Sequence, residues 1–184
     1  MVNMLFPTYP ELTTERLILR KLAIEDENEI LLLRSDGQVN RFIDRPKMQT
    51  VEESRAFIEK ILKNVAVHEV FYWAIEWKNS DKLIWTVCLW NISVEDSSAE
   101  IGFELFPDYQ GKGIMGEAVA RVLEFGFTDM QLMLITGWIH KENVASIKLV
   151  EKFHFNRDAE LESKYADLPE LKTMVIYSLV RPVL

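Results

Sequence analysis

Residues Ala99 to Phe127 read AEIGFELFPDYQGKGIMGEAVARVLEFGF, and the pattern changes period once within this stretch. Over the first half, Ile101, Phe103 and Leu105 alternate with Glu100, Gly102 and Glu104, the two-residue period of a strand. Over the second half, Ile114, Ala118, Val119, Val122, Leu123 and Phe127 recur at helical spacing. Between them lie Gly111, Gly113 and Gly116. The chain must therefore run strand, glycine turn, helix in one short unit, which requires a sheet with helices packed on it.

The three glycines spell G-x-G-x-x-G, the fingerprint of a dinucleotide-binding turn. In a doubly wound fold that turn follows the first strand, and most of the sheet comes after it. Here the glycines stand after about 110 residues, and the segment near the expected ribose-binding acid, ITGW, has no Asp or Glu. An NAD- or FAD-dependent oxidoreductase is accordingly the third of three readings. The physics of the turn survives: glycines let backbone N–H groups approach an anion, and a helix N-terminus favours negative charge. A phosphate or pyrophosphate site and a plain tight turn both remain open from these residues alone.

Other segments fill in a mixed α/β (α+β) fold, one domain over residues 1–184. ERLILRKL alternates as a strand, with Leu17 and Leu19 on one face. IEDENEILLLRSD places acids ahead of a helical apolar pattern. TVEESRAFIEKILKNVAV opens with Thr50 and Glu53 at capping-box spacing. VFYWAIEW and KLIWTVCLWNI are strands joined by a turn at Asn79-Ser80-Asp81. LMLITGWI is a strand, NVASIKLVEKF a helix and KTMVIYSLV a closing strand, with one more strand expected after Phe155. The expected sheet is mostly antiparallel and flanked by helices.

Composition narrows the function. No run approaches a membrane span, and the N-terminus lacks the pattern of a signal peptide. Cys88 is the only cysteine, which excludes an internal disulfide and favours a reducing compartment, hence the cytoplasm. With 29 acidic against 21 basic residues and a net charge of −8, nucleic acid is not the expected ligand, and a basic acceptor is. His68, His140 and His154 show no metal-ligand spacing, so no metal is expected.

AEIGFELFPDYQGKGIMGEAV followed by HKENVASIKLVEKFHF resembles the GNAT N-acetyltransferase superfamily, most closely its RimJ/RimL branch, which acetylates N-terminal amines of ribosomal proteins. The superfamily motif R/Q-x-x-G-x-G/A is met by Gln110 and Gly113, with Met115 departing at the last position. The resemblance, extended by LTTERLILRKL, spans roughly Leu12 to Leu179. It implies acetyl-CoA as donor, held by Gln110, Gly111, Lys112, Gly113, Ile114, Met115 and Gly116. Its pantetheine arm would lie along Phe103, Glu104, Leu105 and Phe106, with Asn143 and Ser146 near the thioester. It implies a primary amine as acceptor, a protein N-terminus or a small amine, and a monomer or homodimer. A non-catalytic acyl-CoA-binding or scaffolding relative is the alternative.

Acyl transfer to an amine needs a base for the amine and a proton for the departing sulfur. Glu100 and Glu104 are both candidate bases, and the sequence does not choose between them. Many members of the superfamily place a Tyr acid where this chain has Val150. That departure moves attention to Ser146, one helical turn earlier. Trp85 stands where relatives often carry Gly, either narrowing the acceptor groove or filling the core. His154 stands where the family often has Gly and is expected in a turn.

Overall fold

A computed structural model describes residues 2–4, 6, 8–80, 82–105 and 113–182. The alternating segments become strands of one eight-stranded sheet: β1 Leu12–Thr13, β2 Leu17–Lys21, β3 Phe71–Trp77, β4 Leu83–Ser93, β5 Ser98–Leu105, β6 Leu134–His140, β7 Asn156–Arg157 and β8 Met174–Val180. Helices are α1 Glu27–Ser35, α2 Val51–Ala66, α3 Ile114–Glu124, α4 Val144–Lys152 and α5 Ala159–Lys164. The order across the sheet is β1-β2-β3-β4-β5-β6-β8-β7. Every neighbouring pair is antiparallel except β5 with β6. A doubly wound dinucleotide fold needs a mostly parallel sheet, so the architecture opposes that reading.

The period-two pattern sorts side chains onto two cores. Trp73, Ile75, Trp85, Val87, Leu89 and Ile101 pack under Ile114, Ala118, Val119, Val122 and Leu123 of α3. On the opposite face Tyr72 and Ala74 meet Ile30 of α1 with Ile58 and Val65 of α2. Glu117 anchors the first turn of α3 by accepting from the Arg16 amide at 2.9 Å and from Arg16 Nε at 2.7 Å. Thr50 caps α2, its hydroxyl accepting from the Glu53 amide at 3.2 Å. The returning Glu53 carboxylate accepts from Gln49 rather than from Thr50, so the expected capping box is shifted by one residue. The expected strand after Phe155 is the two-residue β7, on the outer edge beside β8. β1 and α5 are additional to the elements expected from the sequence. Among the described residues no helix is long and apolar enough to cross a membrane.

Candidate active site

The one parallel pair in the sheet is also its fork. β5 and β6 pair only at Ser98, Ala99 and Glu100 against Leu134, Ile135 and Thr136. Beyond them β5 continues against β4 and β6 against β8, so the facing edges from Ile101 and Gly137 onward have no strand partner among the described residues. Two such edges offer free N–H and C=O groups to an extended ligand. A cleft of about 2510 Å³ opens at this fork, lined by both edges and by the first turns of α3 and α4.

Of the three glycines at the entry to α3, Gly113 and Gly116 lie among the described residues. Gly113 sits at φ 73°, in the left-handed region, as the residue that caps α3. A Cβ built there would meet nothing within 4 Å among the described residues. Ile114 and Met115 turn their side chains into the core, and Gly116 is half-buried. These features fit a pyrophosphate on a helix N-terminus. Phe106, Gln110, Gly111 and Lys112, which the resemblance also assigns to the cofactor, lie outside the described residues.

Phe103 leans on the core under α3, while Glu100, Gly102 and Glu104 point to the α1–α2 face. Glu100 is buried, 9% exposed, and burial pushes its carboxyl up to about 7 against a hydrogen bond from Asn91. Asn91 makes that contact from φ 50°, at the irregularity in β4 between Trp90 and Ser93. Glu104, four residues on, is engaged on both oxygens. Arg45 Nη1 donates to Oε1 and Arg45 Nη2 to Oε2 at 2.8 Å, while Arg34 Nη1 donates to Oε1 at 3.1 Å. Three of its lone-pair sites are taken by guanidinium donors, whereas no cation among the described residues is bonded to Glu100.

Asn143 caps α4, its side-chain oxygen accepting from the Ser146 amide at 3.1 Å. Ser146 is half-buried and lines the cleft one turn before Val150, which is 1% exposed. Trp85 is fully buried within the core under α3, so it fills the interior and does not narrow a groove. Burial pushes the Cys88 thiol up to about 12, which removes it as a nucleophile at neutral pH. Among the described residues no group of three or more metal-ligating side chains could hold an ion. Arg34, Arg45, Tyr72 and Asn91 were not anticipated as site residues, because none belongs to a short motif and the fold alone assembles them.

A protein-family model described as "Acetyltransferase (GNAT) domain" matches residues 16–156. An uncharacterized N-acetyltransferase, p20, of Bacillus licheniformis is 30% identical over 170 residues, covering 92% of this chain and 96% of that protein. Another, YoaA of Bacillus subtilis (strain 168), is 26% identical over 174 residues, covering 95% and 98%. The solved structure of Mycobacterium smegmatis RimJ in complex with CoA-disulfide superposes with a TM-score of 0.80 at 17% identity, covering 94% of this chain and 88% of that one.

Proposed function

Because the chain belongs to the GNAT acetyltransferase family, we propose that its forked cleft moves the acetyl group of acetyl-CoA to a primary amine, with Glu100 as general base. The observation that carries this reading is a buried carboxyl, pushed up to about 7, at the fork of β5 and β6. A base is most effective when its pKa lies near the working pH, whereas Glu104 already accepts three hydrogen bonds from two guanidiniums. Acetyl-CoA supplies the thioester carbonyl that the amine attacks. The free edge of β5 and the backbone around Gly113 to Gly116 orient the donor, and Glu100 takes the proton that the amine sheds. Ser146, directly or through a water, returns a proton to the departing sulfur.

The α-amine of a protein N-terminus is the first acceptor class and a small amine the second. The first draws on the resemblance to the RimJ/RimL branch and on the shared fold with RimJ. An α-amine near pKa 8 needs little help to lose its proton, which suits a carboxylate of this strength. The lone Cys88 is consistent with a reducing compartment, and the reading places the enzyme in the cytoplasm.

Glu100→Gln tests the assignment. With a weakly basic amine, whose own titration lies clear of the range, wild-type kcat should rise through about pH 7 as Glu100 ionises. The variant should lose that limb and about 10² to 10⁴ in kcat. CoA release is followed against pH, with the acetylated product identified by mass spectrometry. An unchanged limb in the variant assigns the base elsewhere.

A further inference from the structure

Resting on the acyl-transfer reading above, we propose that the acceptor amine carries a carboxylate roughly 10 Å from its nitrogen, bound by the Arg34–Arg45 pair at the far end of the same strand face. Two guanidiniums share one carboxylate there, so the cluster keeps an excess of one positive charge. Arg45 is fixed by three hydrogen bonds, two to Glu104 and one from Nε to Asn40 Oδ1 at 2.7 Å. Arg34 lies over the ring of Phe57, its central carbon 3.9 Å from the centroid. Both side chains are mostly buried, at 14% and 15% exposure, yet both line the cleft.

Donors outnumber acceptors around them. The Arg34 guanidinium also faces the Tyr72 hydroxyl, and Glu104 is the one carboxylate among the described residues that is bonded to either arginine. Each guanidinium also keeps N–H groups beyond those given to Glu104 and Asn40. Burial holds Arg34 below its ordinary value, with Glu104 opposing and Arg45 adding to the effect. Asp44 and Glu69 also line the cleft, but both are exposed and neither bonds to the pair. A buried charge needs a partner, and a planar fork is best matched by a carboxylate.

The strand sets the distance. Glu100 and Glu104 are separated by about 13 Å along β5 at roughly 3.3 Å per residue, and the arginines flank Glu104. An amine at Glu100 and an anion at the arginine pair therefore belong to a molecule longer than a free amino acid. A hydrogen bond at one or both ends takes up part of the separation, and an extended tripeptide, about 10 Å from amine to carboxylate, spans the remainder. The carboxylate can come from the C-terminus of a short peptide or from an acidic side chain near the N-terminus of a longer one.

Glycine, diglycine, triglycine and tetraglycine, each as free acid and as C-terminal amide, test this with the full chain and saturating acetyl-CoA. We expect kcat/KM to peak at triglycine and to fall roughly ten- to hundredfold for its amide. Longer amidated peptides with Asp or Asn at the second or third position then identify the source, an Asp preference pointing to the side chain. Arg45→Gln should bring the acid-to-amide ratio close to one, with a melting curve to check folding. If that variant does not fold, the wild-type ratio alone decides. Amides turned over as well as acids overturn the inference and leave acyl transfer standing. Absence of CoA release with both series overturns the inference too, while failure of acetyl-CoA to bind in calorimetry overturns the reading beneath it.

Discussion

Glu100 and Glu104 carry the same side chain on the same face of β5, and their surroundings give them different chemistry. Burial without a bonded cation raises Glu100 into the range of a working base, while Glu104 is consumed in holding Arg34 and Arg45. The proton for sulfur is a separate matter, because Val150 has none to give and Ser146 faces the cleft one turn earlier. Ser146→Ala should lower kcat by about tenfold to a hundredfold, the low end for a positioned acid, since a thiol leaves more readily than an alkoxide. The acetyl-CoA dissociation constant should stay nearly constant. Single-turnover kinetics with chemistry rate-limiting checks this, and a full-rate variant means that solvent protonates the thiolate.

At the scale of elements, α4 is held at both ends by local chemistry. Asn143 caps its start, and its end is a Schellman motif: the Phe155 amide donates to Val150 at 3.2 Å and the His154 amide to Glu151 at 2.9 Å. That motif needs one left-handed residue, and His154 supplies it at φ 64° where glycine would be unstrained. His154→Gly should therefore stabilise the fold by about 1 kcal/mol, a rise in Tm of roughly 2–4 °C for a chain of this size. Urea titration and calorimetry measure it. A fall in stability would mean that the imidazole makes a contact worth more than the backbone strain.

For the whole molecule, the proposed donor site at the fork in the sheet predicts a coupling of ligand to stability. A donor that bridges the β5 edge and the start of α3 binds only the folded chain, so at 100 times its dissociation constant it should add about 2.7 kcal/mol. That corresponds to a Tm increase of roughly 5–11 °C with acetyl-CoA. NAD should produce no shift. Gly113→Asp should lose the acetyl-CoA shift, since φ 73° disfavours a side chain and the added charge repels phosphate. A retained shift in that variant would move the phosphate site elsewhere. Charge also reads differently at this scale: the net −8 gave the expectation of a basic acceptor, whereas the cleft concentrates Arg34 and Arg45 around a single carboxylate.

Features set by neighbours along the chain are legible in the sequence itself. The α3 stripe, the Thr50 and Asn143 caps, the strand β5 and the left-handed Gly113 all depend on residues within a few positions, where propensity and hydrogen bonding act directly. Motif resemblance adds the family, because its two signatures each lie within one short stretch. The choice between Glu100 and Glu104 is not legible there, since it depends on Arg34 and Arg45, 70 and 59 residues away from Glu104. The burial of Trp85 likewise needs the opposing helix α3. Only the tertiary structure decides such contacts, because a side chain's solvation and its charged partners are properties of the folded neighbourhood rather than of the local chain.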